Sequence, residues 1–519
     1  MFLLYKNMKG LAYIPNLHKK IDPLRNIVVK SESSTLLATL EIDRNASVPI
    51  YRQLEDFLRR MILNGALYPK QKLPSTRALA HELGVSRITV KSVYEQLISE
   101  GYAQAKTGAG TFISAGLKTK NPTVQNISKP HLGSPIKGLS DLAEKINLSK
   151  STTRYGSIMP LHPGIPALDK FPAKRWNKYI SRAMLQEDRN HLSDGVLYGS
   201  ENLRSSIACH LENSRGMLVD PEQIIITSGA QQALFLIALV LLTSEDTVWF
   251  ENPGHIAGRD VVRLIGAKIA PVPIDSEGLD IHFAAKNYFK PTLIFATPSH
   301  QQPLGVTMSL RRRLELLKYA HENEAWIIEH DYDSEFRYRG RPLPALSGLD
   351  KAGRVLYVGT FSKSLCSAVR LGYVVLPHWL VDTFAKARNL LGQSSSPITE
   401  EALSKFMNDG RFAEHIRKMR RIYRGRRDTL LNCLQEYCAD TLIPQQSDAG
   451  MHLIADLKNK LDDQVAHKVL LDSGIDSLPL SVYCSEPINR SALVLGFSGV
   501  PKKTIIKVTR KLGKTLRSI

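Results

Sequence analysis

Val355-Leu-Tyr-Val-Gly-Thr-Phe-Ser-Lys-Ser364 is the run on which the fold of this 519-residue chain turns. Its first four residues are apolar or aromatic and read as a short buried strand, which Gly359 breaks. A polar turn of Thr360, Ser362 and Ser364 then surrounds one lysine, Lys363. An amine just past the end of a buried strand is dehydrated, and dehydration favours its neutral, nucleophilic form. That form is what a Schiff base to an aldehyde cofactor requires. The neighbouring hydroxyls, Ser362 among them, and Arg370 seven residues on suit the phosphate such a cofactor carries.

Strand ends of the same kind recur upstream. Ile224-Ile-Ile-Thr-Ser-Gly-Ala-Gln-Gln-Ala233 reads as a strand turning through Gly229 into an apolar helix. The backbone N–H groups of Gly229, Ala230 and Gln231 then stand at a helix N-terminus, a ready anion site. Val248–His255, Thr292–Gly305 and Ala325–Tyr332 repeat the pattern of a strand followed by a polar loop. From residue 156 onward this alternation predicts a mostly parallel α/β sheet. Open sheets of that kind bind ligands at the carboxyl ends of their strands.

The first part of the chain follows a different rule. Ile50, Leu54, Leu58 and Met61/Ile62 recur at helical spacing. Ser75 reads as the N-cap of a short helix over 76–83, Gly84 as a turn, and Ser86 as the cap of a longer helix ending near Glu100. A short helix, a glycine turn and a longer helix form the helix-turn-helix pattern. Arg87 and Lys91 share a face near the start of the second helix, where base edges are met. Gly101–Ile113 reads as a two-stranded wing with Lys106 and glycines at its tip.

Composition agrees with two kinds of partner. The net charge is +20, and residues 1–150 hold 22 Lys/Arg against 11 Asp/Glu, hence +11 in under a third of the length. Such asymmetry points to a polyanion, nucleic acid before membrane. Five scattered cysteines without metal-ligand spacing argue for a reducing cytoplasm and no structural metal. The longest apolar run, Ala233–Leu242, is about half of the ~20 residues a bilayer span needs, so no membrane role is expected.

Two resemblances follow from these residues. The runs Leu73-Pro-Ser-Thr-Arg-Ala-Leu-Ala, Val85-Ser-Arg-Ile-Thr-Val, Tyr94-Glu-Gln-Leu and Gly108-Ala-Gly-Thr-Phe resemble the winged helix of the GntR family of transcriptional regulators. Carried over by position, Arg77, Arg87, Thr89, Lys91 and the wing's Gly110 are its implied DNA contacts. The five strand ends together resemble a fold-type I, aminotransferase-like domain that binds pyridoxal phosphate (PLP). A GntR-type headpiece joined to such a domain is the architecture of the MocR family. The implied organisation is an N-terminal extension (1–45), a winged-helix domain (46–115), a linker (116–158) and a PLP-binding domain (159–519). The fold class is therefore α/β with a mostly parallel sheet, preceded by a winged helix-turn-helix.

The resemblance also implies roles. Lys363 would hold the cofactor as a Schiff base. Ser362, Arg370 and the Gly229–Gln231 turn would take the phosphate, with Tyr198 reaching over from a head-to-tail dimer partner. Tyr332 and Gln302 would contact the ring hydroxyl, and His255 falls where an aromatic ring stacks on the pyridine. One position departs from the pattern. PLP chemistry leans on a carboxylate at the pyridine nitrogen, and where the family pattern has Asp this chain has His330, with Asp331 adjacent. Either Asp331 serves in a shifted register or an imidazole replaces the carboxylate, and neighbours on a strand face opposite ways. Aminotransferases also carry an arginine in the late C-terminal strand, and Ala492–Phe497 has none, with Arg490 just upstream. Two readings of the large domain stay open: a sensor of PLP or a small amine or amino-acid effector that biases binding to double-stranded operator DNA, or a working aminotransferase with an appended DNA-binding domain.

Overall fold

The computed structural model describes residues 42–44, 46, 48–115, 140–147, 159–185, 195–340, 344–392 and 395–519. The N-terminal extension expected over 1–45 lies almost wholly outside them, as does most of the linker expected over 116–158. The chain divides into two units, Met1–Lys137 and Gly138–Ile519.

Among the described residues the first unit holds the helices Ile50–Leu63, Thr76–Leu83 and Arg87–Ser99 and the hairpin β1 (Ala103–Lys106) and β2 (Gly110–Ile113). Ser75 caps the second helix by accepting the N–H of Ala78 at 3.1 Å, and Ser86 caps the third by accepting that of Thr89 at 3.0 Å. Between them Gly84 adopts φ +62°, the left-handed conformation that ends the second helix at low cost only without a Cβ. Leu54, Leu58, Ile62, Leu79, Val90, Val93 and Leu97 fill a small separate core. Val90, Val93 and Leu97 come from one stripe of the third helix, so its opposite stripe is left to solvent.

The second unit is built on an eight-stranded sheet of order β3-β10-β9-β8-β7-β4-β5-β6. The strands are β3 (Ile224–Thr227), β4 (Thr247–Asn252), β5 (Lys268–Asp275), β6 (Gly278–Leu279), β7 (Leu293–Ala296), β8 (Trp326–Asp331), β9 (Val355–Thr360) and β10 (Gly372–Val375). The run β5-β4-β7-β8-β9 is parallel. β10 is antiparallel to both of its neighbours, β9 and β3, which makes β3 parallel to the main run. β3, β7, β8, β9 and β10 are buried along their whole length, which explains their continuous apolar runs. The helix Ala230–Leu241 packs on one face with Phe250, Phe295, Ile328 and Val358. A second, four-stranded antiparallel sheet of order β11-β12-β14-β13 (Leu442–Pro444, His452–Leu457, Ala492–Gly496, Leu478–Pro479) joins the long helix Arg411–Tyr437 and the last helix Lys502–Leu516 in another core. The helix Asp141–Asn147, inside the expected linker, lies in this second unit. Among the described residues no helix is long and apolar enough to cross a membrane.

This topology sets the site. Because β3, β4, β7, β8 and β9 run the same way, their carboxyl ends share one edge of the sheet. The antiparallel β10 starts at that same edge.

Candidate functional site

Register brings the first group together. Gly372 opens β10 and pairs with Thr360 at the end of β9 and with Thr227 at the end of β3. The loop carrying Ser362 and Lys363, the turn Gly229–Gln231 and Arg370 therefore meet at one corner. A Cβ on Gly372 would stand 2.7 Å from the carbonyl carbon of Gly229 and 2.9 Å from the nitrogen of Ala230, so only glycine lets β10 close against that turn. Arg370, two residues earlier, is exposed and sits at φ +54°. A left-handed arginine is a strained backbone of the kind held at functional sites. Gln231 ties the turn to the helix Ile256–Ile265, its amide nitrogen donating to the carbonyl of Ala257 at 3.3 Å.

Lys363 is half-buried, and its Nζ donates to the carbonyl of Gly164 at 2.8 Å. Burial pushes its ammonium below the usual lysine range, against a smaller opposing pull from Asp333. The neutral amine that a carbonyl-trapping lysine needs is thereby favoured.

β8 sorts its side chains by face. Glu329 and Asp331 point to one side, where Arg215 stands with its Nε 2.9 Å from Asp331. Asp331 also accepts from Tyr357 Oη at 2.7 Å and from Ser334 Oγ at 2.8 Å. Burial raises its carboxyl, but Arg215 and these hydroxyls outweigh that and hold it below the usual value. Glu329 accepts the backbone N–H groups of Leu346 and Ser347. The other face carries Ile328 and then His330, which is 3% exposed. The His330 ring lies edge-on to His255 with centroids 4.6 Å apart, and 5.8 Å from the Tyr332 ring. Burial lowers its pKa to about 4, with the Lys363 charge pushing the same way and Asp331 and Asp333 opposing. Neither of its ring nitrogens has a hydrogen-bond partner among the described residues.

His255 caps the helix Ile256–Ile265, its Nδ1 accepting the N–H of Gly258 at 2.9 Å, which places the ring proton on Nε2. Its ring stacks on Phe295 at 5.9 Å and 8°. Burial, then the charges of His330 and Lys363, push it well below the ordinary histidine range. Tyr332 Oη lies 3.0 Å from Nδ1 of His300, which also meets Asp333 at 3.0 Å. Gln302 is half-buried, its backbone N–H donating to Thr297 Oγ1 at 3.1 Å. Tyr198 is half-buried, and its hydroxyl donates to Asp382 at 2.8 Å. Arg490 pairs with Asp456 at 2.6 Å on the protein surface. A cleft of about 400 Å³ lined by Phe171, Lys174, Arg175, Arg411 and Lys418 contains none of these strand-end groups.

Sequence reasoning passed over Gly164, Arg215, His300 and Gly372. The first three contact the site only through chain folding, whereas Gly372 had a local signal, a glycine opening an apolar strand.

In the first unit Arg77, Arg87 and Lys91 are all exposed. Arg87 Nε reaches Thr76 Oγ1 at 3.4 Å, bracing the two helices, and Lys91 pairs loosely with Glu95 at 3.6 Å. Thr89 is half spent on the cap, 2.8 Å from Ser86 Oγ. Gly110 lies under the stem of Lys72, and the ammonium groups of Lys72 and Lys106 stand over the Phe112 ring at 5.8 and 5.3 Å. Beside Arg87 the sequence reading missed Ile88, 80% exposed. Arg44 donates to the Gly84 carbonyl at 2.7 Å, adding a cation to the helix-turn-helix.

Known proteins match both units. Residues 50–113 match the family model for bacterial regulatory proteins, gntR family, and residues 157–491 that for aminotransferase class I and II. The "Probable rhizopine catabolism regulatory protein MocR" of Rhizobium meliloti is 36% identical over 90% of this chain and 93% of its own length. The "HTH-type pyridoxine biosynthesis transcriptional regulator PdxR" of Corynebacterium glutamicum is 32% identical over 91% of this chain and 97% of its own. Among solved structures, Pyrococcus horikoshii kynurenine aminotransferase, in complex with PMP, superposes with TM-score 0.65 at 25% identity, over 76% of this chain and 97% of that one. The winged helix, the strand-end constellation and relatives matched along nearly their full length lead to one conclusion: the chain belongs to the MocR family of transcriptional regulators, a GntR-type DNA-binding domain joined to an aminotransferase-like domain.

Proposed function

We propose that the large domain binds pyridoxal 5'-phosphate and that this cofactor, alone or with a small amine or amino acid, sets the affinity of the winged helix for operator DNA. The observation that carries the reading is the corner where Lys363, the Gly229–Gln231 turn and Arg370 meet. The orphaned nitrogens of His330 fit the same group, since a buried polar ring without partners is one that a ligand completes. Bound there, PLP supplies a reactive aldehyde and an electron-withdrawing ring.

The chain's own groups divide the work. Lys363 would hold the aldehyde carbon covalently. Arg370, Ser362 and the three backbone N–H groups of the turn would hold the phosphate, a guanidinium and a helix N-terminus being complementary to a dianion. His255 would cover the ring, Tyr332 and Gln302 would address its hydroxyl oxygen, and His330 its nitrogen. Arg87, Ile88, Thr89 and Lys91 would enter the major groove while Arg77, Lys72 and the wing approach phosphates. Tyr198 would complete the site of a partner in a head-to-tail homodimer. An effector acts through such a machine only by binding one arrangement more tightly than another.

The test is a titration of the full chain with PLP and then with candidate amines, read by visible absorbance and by gel shift of promoter DNA. Colour that develops with PLP, with DNA affinity that changes as it develops, supports the reading. A protein that stays colourless overturns the cofactor assignment, and colour without any change in DNA binding overturns the sensing role. Steady turnover of an amino acid with a 2-oxo acid in the same samples would favour the aminotransferase alternative.

A further inference from the structure

We infer that His330 is the partner of the cofactor's ring nitrogen, as an uncharged imidazole in place of a carboxylate, and that this keeps the nitrogen unprotonated and biases the site toward holding ligands over transforming them. The inference rests on the PLP reading above and adds to it the electronic state of the ring.

Three observations carry it. First, the two acidic residues that flank His330 in sequence are committed elsewhere. Asp331 spends its carboxylate on Arg215, Tyr357 and Ser334, and Glu329 closes on the N–H groups of Leu346 and Ser347, both on the far face of β8. Alternation along the strand forbids either from turning inward without reversing the whole register with β9, where His330 pairs with Val358 and Asp331 with Gly359. Second, His330 is the polar residue that β8 presents on the His255 face, and both of its nitrogens are buried and without partners among the described residues. Third, its surroundings disfavour a cation. Burial outweighs the opposite pull of Asp331 and Asp333, and the His255 ring 4.6 Å away offers no charge to hold a proton.

The chemical consequence follows from charge. A carboxylate beside a pyridine nitrogen stabilises its protonated form, which draws electrons from the reacting carbon. A neutral imidazole offers an N–H donor to the lone pair of an unprotonated ring and no charge to stabilise a proton there. The ring still binds, but it is a poor electron sink.

The experiment loads the full chain with PLP carrying ¹⁵N in the ring and reads the nitrogen resonance across the neutral pH range, with visible absorbance reporting occupancy. The wild type should show the shift of an unprotonated pyridine. His330→Asp should move it to the protonated position, and His330→Gln, which keeps an N–H donor without a charge, should leave it unprotonated. A protonated resonance in the wild type overturns the inference while leaving the cofactor reading intact. So does a folded His330→Asp whose resonance does not move. If His330→Asp fails to fold, the wild-type and His330→Gln spectra decide. Failure of any labelled cofactor to bind the wild type is distinguishable from both, and removes the cofactor reading itself.

Discussion

The two units present their functional groups in opposite ways. In the winged helix Arg77, Arg87, Lys91 and Ile88 stand in solvent, with Arg87 reaching Thr76 and Lys91 pairing loosely with Glu95. In the larger unit Lys363, His255, His330 and Tyr332 are wholly or half buried at strand ends, and burial shifts each toward its neutral form. The difference follows from the partners. A DNA phosphate backbone is large and charged and arrives with its own counterions, so cations that wait hydrated bind it by releasing them. A small aldehyde needs a neutral amine, and only a site that excludes water can keep a lysine neutral at ordinary pH. Substitutions in the first unit should thus change binding and leave stability alone, whereas in the second the cost to stability depends on what the buried side chain is paired with.

The largest effect is expected at Lys363. Lys363→Ala removes the amine and should abolish the colour that PLP induces, with the melting temperature of the cofactor-free chain within a few degrees of wild type. Absorbance titration with parallel thermal melts checks it, and an unchanged spectrum would put the reactive lysine elsewhere.

Acid should separate the units next. Burial lowers the pKa values of His210, His330, His415 and His452 to about 4, from the ordinary 6.5. Glu251 and Glu335 are raised, to about 7 and about 8. His255 is lowered further still and Glu329 and Glu400 are raised, so between the ordinary carboxylate and histidine values the unfolded chain holds up to five protons the folded one lacks, and the folded chain up to four that the unfolded lacks. Stability rises with pH wherever the unfolded state binds more protons, so the small excess on the histidine side makes stability fall on acidification through that window. Calorimetry from neutral pH downward should show the large unit losing stability first. A transition independent of pH would mean that these histidines are protonated in the folded state.

Asp331→Ala tests the same burial from the side of one pair. It leaves the Arg215 guanidinium beside Glu329 alone and strips Tyr357 of its acceptor. Removing one member of a buried ion pair costs about 3–5 kcal/mol. Denaturant unfolding of the cofactor-free chain should show that loss, and a change below about 1 kcal/mol would mean water replaces the carboxylate at the Arg215 guanidinium.

How far these groups were legible in the sequence depends on whether their determinants are local. Capping at Ser75 and Ser86, the left-handed Gly84 and the period of Val90, Val93 and Leu97 are set within a few residues, and the winged helix could be read directly. So could the strand ends at Gly229, His255, Tyr332 and Lys363, because a buried parallel strand leaves a continuous apolar run. The choice between His330 and Asp331 was not legible. Strand alternation says that they diverge but not which of them faces the ligand, and Arg215, which takes Asp331, comes from more than a hundred residues upstream. Gly164 and His300 were hidden for the same reason: each meets its partner through folding of distant segments.

Within the exposed face the effects should be smaller and confined to DNA. Arg87→Ala should weaken operator binding by about 1–3 kcal/mol, the range for a side chain that reads a base, and relax the preference at one position. A uniform loss on all sequences, with a shallower salt dependence, would make it a phosphate contact. Fluorescence anisotropy at two salt concentrations separates the outcomes.

Ile88 should have the smallest effect and the most specific one. An apolar side chain 80% exposed in the first turn of a helix flanked by Arg87, Thr89 and Lys91 contributes nothing to its own core. Carrying it into water has an explanation if the groove offers a thymine methyl, the one apolar feature of the major-groove edge. Ile88→Ala should then weaken the operator by about 1 kcal/mol, leave binding to random duplex unchanged and spare stability. Replacing each thymine of the operator by uracil in turn should reproduce the loss at one base pair and abolish the difference between Ile88 and Ala there. If no uracil substitution does so, Ile88 does not read a methyl group, and the specificity of the exposed unit rests on its polar side chains alone.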